Sequence, residues 1–221
     1  NIEVIVCGKA LFEGRAALRL QREFGLPYVV CTYALEVREW LKGRKTAKDL
    51  RAVLRGAARV LVIHEETKRL LRSLGVAEKV LVKLYPGVAE EFFGVPENLQ
   101  EFRRRFALDG KRVLVSVARL VPRKGHEVLL QALKGVLRAV PEAHLLLIGD
   151  GPERDRLVVR ARTEGLATSV TFLGEVETYD LHRALALAEA FVLTPRNLKE
   201  DPEGFGIAYL EAAAAGVPSV A

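Results

Sequence analysis

Short runs of consecutive apolar, often β-branched residues alternate along this chain with longer stretches whose apolar positions recur every three or four residues. The short runs are IEVIVC (2–7), YVVCTY (28–33), VLVI (60–63), VLVKL (80–84), RVLVSVA (112–118), HLLLIG (144–149), SVTFLG (169–174), AFVLT (190–194) and VPSVA (217–221). Most are apolar on neighbouring rather than alternate positions, the pattern of strands covered on both faces, as in a parallel sheet. Between them, Val128, Leu129, Ala132, Leu133, Val136, Leu137 and Val140 form one helical stripe within 125–140. Similar spacing predicts helices at 11–24, 47–58, 65–74, 98–107, 153–165, 178–188 and 205–215. Strand alternating with helix predicts βαβ units and an α/β fold. The stretch YPGVAEEFFGVPEN (85–98) carries two Pro and two Gly, and a charged helix follows it. It predicts a division near residue 108, giving domains 1–107 and 108–221.

Composition narrows the class. The chain has 221 residues, 50% hydrophobic and 28% charged, which is too apolar for disorder and lacks a fibrous bias. No apolar run approaches the roughly 20 residues of a membrane-spanning helix. Two cysteines, Cys7 and Cys31, sit inside apolar runs. They are expected to be buried reduced thiols, which fits a cytoplasmic location. There is no Met, and both ends fall inside apolar runs, so the chain reads as a piece of a longer protein.

The net charge of +6 is local: residues 38–59 hold 8 Lys and Arg against 2 Asp and Glu. Such a patch suggests an anionic partner, and the plain alternative is a solvated helix face. Trp40 and Leu41 lie within it, as in a helix docked on an anionic membrane surface. Aromatic residues are few there and no recognition motif occurs, which argues against nucleic acid.

The candidate chemistry lies in the second half. In SVARLVPRKG (116–125) a strand ends, Arg119 follows, and Lys124-Gly125 opens a helix. Open α/β sheets bind ligands at the carboxyl ends of their strands, and a helix N-terminus with two cations suits an anion; taken alone, such cations are as readily solvated. GDGPE (149–153) lacks the third glycine of a dinucleotide fingerprint and reads as a tight βα turn. In EGFGIAYLE (203–211), Glu203 precedes Gly204, Phe205 and Gly206, and Glu211 follows eight residues later. On a continuous helix the two carboxylates would lie about 12 Å apart along the axis and on one side. The four His residues are scattered, with no spacing for a metal.

Taken together and in order, ARLVPRKG (118–125), LLLIGDGPE (145–153), VTFLGEV (170–176) and EGFGIAYLEAAAAGVPSVA (203–221) resemble the donor-binding half of retaining glycosyltransferases of the GT4 family. The stretch 194–214 is similar to mannosyltransferases that act on phosphatidylinositol-type acceptors. The resemblance implies a GT-B architecture of two Rossmann-like parallel-sheet domains, both incomplete here. Residues 1–107 would be the later part of an acceptor domain and 108–221 a nucleotide-sugar donor domain. It implies a nucleotide-diphosphate sugar as donor substrate, transfer of a hexose such as mannose, and a lipid, saccharide or small-molecule acceptor. It implies no cofactor and no metal. Arg119 and Lys124 would stabilise the leaving diphosphate, and Glu203 would face the donor sugar. Gly204, Phe205 and Gly206 would lie against sugar and phosphate. Glu211 would hold the ribose hydroxyls, and the backbone near Val176 would lie by the base. The implied location is cytoplasmic, peripheral at the membrane face. On the acceptor side the chain departs from the family pattern at Tyr33, His64 and Ala89.

Overall fold

The structure, a computed structural model, describes residues 2–196 and 206–221. The chain forms two compact units, 1–86 and 87–221.

In the first unit, β1 (Ile5–Cys7), α1 (Phe12–Phe24), β2 (Tyr28–Thr32), α2 (Ala34–Leu41), α3 (Arg44–Gly56), β3 (Arg59–Val62), α4 (Glu65–Ser73) and β4 (Leu81–Lys83) follow one another. The four strands pair in parallel in chain order. Tyr28, Val30, Val60 and Val62 bury against Leu50, Leu54 and Leu71. The Tyr28 hydroxyl, buried in this core, donates to the Val53 carbonyl at 2.6 Å. Burial, reinforced by Cys7, pushes its pKa up to about 12. Cys7 is buried and Cys31 half-buried; both are free thiols.

Helix α2 has no counterpart among the predicted elements. Its apolar contacts, Val37, Trp40 and Leu41, have helical spacing but sit among four charged residues from Glu36 to Lys42, and the preceding TYALEV continues the look of a strand. Trp40 and Leu41 pack against the first core, and Trp40 stacks edge-on with Phe12 at 6.3 Å. This corrects the picture of an interfacial helix that offers them to a membrane: the apolar side of α2 is used by the fold.

The second unit opens with a 3-10 turn (Glu90–Phe93) and α5 (Leu99–Arg105). It continues through β5 (Arg112–Val117), α6 (His126–Ala139), β6 (Ala143–Ile148), α7 (Arg154–Thr163), β7 (Val170–Gly174), α8 (Thr178–Ala186), β8 (Ala188–Val192), α9 (Ile207–Ala214) and β9 (Ser219–Val220). All pairings are parallel, in the order β7-β6-β5-β8-β9. Every residue of β6 is buried: Leu146 and Ile148 face one core, Leu145 and Leu147 the other. Helices cover both faces, which is why consecutive positions are apolar.

The units divide at Pro86/Gly87 rather than at 107/108. Phe92, Phe102 and Leu108 are buried with Val113, Val115 and Phe191, and the Gly94 carbonyl accepts a hydrogen bond from His182 Nε2 at 3.0 Å. The Pro and Gly residues mark turns of the chain; the division is set by the core in which the aromatic rings are buried.

Candidate functional site

The second sheet starts at its centre with β5, winds out to β7, and then crosses back to β8. Loops from β5 and β8 therefore leave in opposite directions, and the crevice between them is the place where such sheets hold ligands. Arg119 leaves β5 at this point. The Ala118 amide donates to the Ile148 carbonyl at 3.0 Å and the Leu120 amide to the Asp150 carbonyl at 2.9 Å. Leu120 is buried, while Arg119 between them is exposed. Among the described residues its guanidinium has no hydrogen-bond or ion-pair partner. The loop then makes a 3-10 turn (Pro122–Lys124) and reaches α6 through Gly125, at φ 69°.

The β6 loop is pressed against this segment. Gly149, at φ +120°, lies where a Cβ would be 2.2 Å from the Ala118 oxygen. Its amide donates to the Gly174 carbonyl at 2.7 Å. GDGPE is thus the tight turn expected, and its glycines permit backbone-to-backbone packing of three loops at the sheet's carboxyl edge. The result is an open cleft of about 340 Å³ whose lining includes Ala118, Arg119, Gly149, Glu175, Val176 and Leu181. Arg119 and Val176, expected at opposite ends of a nucleotide, share one wall-to-wall cleft.

Helix α9 lies on the same face of the sheet: Ala208, Tyr209 and Ala212 pack in the core that also holds Val176 and Leu181. Gly206 precedes the helix at φ 74° and ψ 55°. A helix cannot run back through that left-handed residue, so the continuous helical spacing from Glu203 to Glu211 does not hold. Glu203, Gly204 and Phe205 lie outside the described residues. Glu211 is half-buried, and among the described residues its carboxylate has no partner. Burial alone raises its pKa.

Lys124 is half-buried at the base of α6, outside the cleft lining. It lies close enough to His126 to help lower that imidazole's pKa, burial being the larger cause, to about 4. Among the described residues no group of three His, Cys, Asp or Glu is placed to hold a metal. Tyr33 and His64 occupy the residues before α2 and α4, at the carboxyl ends of β2 and β3; Ala89 precedes a 3-10 turn.

Sequence reasoning missed Glu175, Leu181 and Thr194. The first two gave no chemical signal beyond their nearness to Val176. Thr194 Oγ1 donates to the Gly125 carbonyl at 2.9 Å, a contact across 69 residues. A cation and an apolar wall in one cleft can hold a ligand with an anionic centre and a planar end.

A family model described as Glycosyl transferases group 1 matches residues 98–221. The chain belongs to this family. This group 1 glycosyl transferase chain is 41% identical over 141 residues to the GDP-mannose-dependent alpha-(1-6)-phosphatidylinositol monomannoside mannosyltransferase of Mycobacterium tuberculosis, covering 62% of this chain and 37% of the relative. The enzyme of the same name from Mycolicibacterium smegmatis is 35% identical over 175 residues, covering 78% of this chain and 46% of the relative. The chain thus spans less than half the length of these curated relatives. The crystal structure of Anabaena HepE in complex with UDP superposes with a TM-score of 0.80 at 20% identity, over 99% of this chain and 59% of that one. That likeness shows a shared fold, the GT-B type expected for the group 1 transferases.

Proposed function

We propose that the full-length protein is a retaining, metal-independent glycosyltransferase that moves mannose from GDP-mannose to a phosphatidylinositol-type lipid acceptor. The observation that carries the reading is the cleft at the sheet's carboxyl edge, which joins Arg119 to Val176, while Glu211 lies on α9, whose Tyr209 and Ala212 share a core with Val176. The named relatives supply the donor and the acceptor class. In this reading the base rests on the backbone by Val176, and the ribose hydroxyls donate to Glu211. Arg119, with Lys124, stabilises the charge that develops on the departing diphosphate, the kind of interaction that is worth most in a transition state. Gly206, with Gly204 and Phe205, borders sugar and phosphate, and Glu203 faces the sugar.

The acceptor hydroxyl attacks the anomeric carbon on the face the diphosphate leaves. The C1–O bond to phosphate breaks as the new C1–O bond forms, and the departing phosphate oxygen takes the acceptor's proton. This retains configuration without a protein nucleophile.

The test is calorimetric titration of the full-length protein with GDP, UDP and ADP in EDTA, followed by a transfer assay with GDP-mannose. Selective binding of GDP, lost in Arg119→Ala, supports the donor site. Selective binding of UDP or ADP instead would overturn the assignment of GDP-mannose, and absence of binding would overturn the donor site itself.

A second reading concerns location. Arg44, Lys48, Arg51 and Arg55 recur at spacings of four, three and four along α3, all exposed, while Ala47, Leu50, Val53 and Leu54 bury the opposite side. Among the described residues Arg44, Lys48 and Arg51 have no ion-pair partner. This cationic ridge suits an anionic membrane surface, each such charge being worth about 1 kcal/mol near one, and it would bring the enzyme to its lipid at the cytoplasmic face. No helix of the described residues is long and apolar enough to cross a membrane. Charge reversal at 44, 48 and 51 should abolish sedimentation with phosphatidylglycerol vesicles; unchanged sedimentation removes the reading.

A further inference from the structure

Residues 193–196, just past β8, touch both the loop 119–125 and helix α9. Thr194 Oγ1 donates to the Gly125 carbonyl at 2.9 Å, and the Arg196 amide donates to the Arg123 carbonyl at 2.7 Å. Gly125 is held so closely that a Cβ on it would fall 1.8 Å from the Thr194 backbone carbonyl oxygen. The loop 119–125, which carries Arg119 and Lys124, is therefore in hard contact with the end of β8. From the other side, the Tyr209 hydroxyl of α9 donates to the Leu193 carbonyl at 3.1 Å, and its ring meets Phe191 edge-on at 5.1 Å. The Leu193 amide is itself tied to the Val220 carbonyl at 3.1 Å.

Two segments that the donor reading uses for different parts of one ligand thus hang on a single two-residue hub. Sheet hydrogen bonds fix Leu193, and Tyr209 suspends α9, with Glu211, from it. The one side-chain bond from Leu193's neighbour to the cationic loop is that of the half-buried Thr194. Chemistry at a diphosphate tolerates little misplacement, because positioning contributes a large share of such rate enhancement.

We infer that Thr194 is a positioning residue for the donor, whose hydrogen bond to Gly125 sets the loop bearing Arg119 and Lys124 in register with the helix bearing Glu211. The inference rests on the donor reading above, and it assigns Thr194 no contact with substrate. Its effect is on the phosphate end of the ligand, since only that end is held by the loop. The nucleoside end, at Val176 and Glu211, does not depend on the Thr194 hydroxyl.

The test uses the full-length protein, with calorimetric affinities for GDP, UDP and ADP and for the matching nucleosides. Thr194→Val keeps the shape and removes the hydroxyl; Thr194→Ser keeps the hydroxyl. Thr194→Val should weaken the preferred nucleoside diphosphate about fivefold, the scale of one lost hydrogen bond, with nucleoside affinity unchanged. Thr194→Ser should stay within about twofold of the parent, as expected when the retained hydroxyl still makes the bond. Tyr209→Phe, which frees α9 from Leu193, should weaken the nucleoside as well as the diphosphate. Equal weakening of diphosphate and nucleoside in Thr194→Val, or no weakening of either, would overturn the inference. Failure of Thr194→Ser to restore the affinity would do the same. Lys124→Ala and Arg119→Ala run alongside separate the two layers. If both keep full diphosphate affinity while Thr194→Val loses it, the donor reading falls. If both lose it while Thr194→Val keeps it, the donor reading stands and the positioning role falls.

Discussion

Gly149 and Ala118, on neighbouring strands' loops, approach until a Cβ on the glycine would lie 2.2 Å from the alanine's carbonyl oxygen. Gly149 also holds φ +120°, a conformation that side chains rarely adopt. Two penalties therefore fall on one substitution. Gly149→Ala is expected to destabilise the fold by about 3 kcal/mol and to weaken nucleotide binding, because the turn forms part of the cleft. Gly165 has φ +73° but nothing within 4 Å of its would-be Cβ. Gly165→Ala should cost only about 1 kcal/mol and leave binding intact. Urea denaturation of the pair measures the difference that close packing alone makes.

Arg119 has no structural partner among the described residues. Arg119→Ala should leave the melting temperature within a degree or so of the parent, a surface change of about ±0.5 kcal/mol at most. Turnover should fall about 100- to 1000-fold, the usual effect of removing one group that stabilises a leaving charge. Loss of stability in step with activity would show that the residue holds the fold instead.

Burial without a partner raises the Glu211 pKa. A carboxyl raised in the folded state contributes stability below its unfolded pKa and loses it as pH rises. Glu211→Gln should therefore raise the melting temperature of the free protein at pH 7. The same change should weaken nucleoside binding about tenfold, since hydrogen bonds to a charged group are the stronger kind. In the parent, affinity should fall as the pH drops through the raised pKa; in the variant it should stay flat. Titrations at several pH values between 4 and 8 check both signs.

His126 is 3% exposed and its Nε2 has no hydrogen-bond partner among the described residues. Burial, with Lys124 adding repulsion, lowers its pKa to about 4 from an ordinary 6.5. The unfolded chain then binds the extra proton between those values. Its contribution is fully present above pH 6.5 and is lost as the pH falls toward 4, by on the order of 3 kcal/mol in total. His144, lowered by burial and by Lys111, acts in the same direction. Unfolding free energies of the parent should decline over this window, and those of His126→Leu should decline clearly less.

Much of this was legible in the sequence because it is local. Each of the nine strands among the described residues lies within or beside an apolar run, since two-sided burial needs consecutive apolar residues. Helix α6 fills its stripe from His126 to Ala139. Helix α2 was missed because charge hides its short apolar spacing, and the division at 86/87 was missed because Phe92 and Phe102 carry no sign of which core takes them. Arg119, Gly206, Val176 and Glu211 stand out in the sequence only as candidates, by residue type and family order. Thr194 and Leu181 were not, because a threonine or a leucine at a strand end is ordinary until its neighbour is known.

By itself, the sequence determined the parallel α/β class and the alternation of strands with helices. These follow from periodicity and residue type, which act over a few positions. Tertiary structure decided that β5 stands between β6 and β8, and hence that Ala118 meets Gly149, Arg119 shares a cleft with Val176, and Thr194 bonds Gly125 across 69 residues. Such contacts depend on which strands are neighbours, and neighbourhood is fixed only when both faces of the sheet are buried at once.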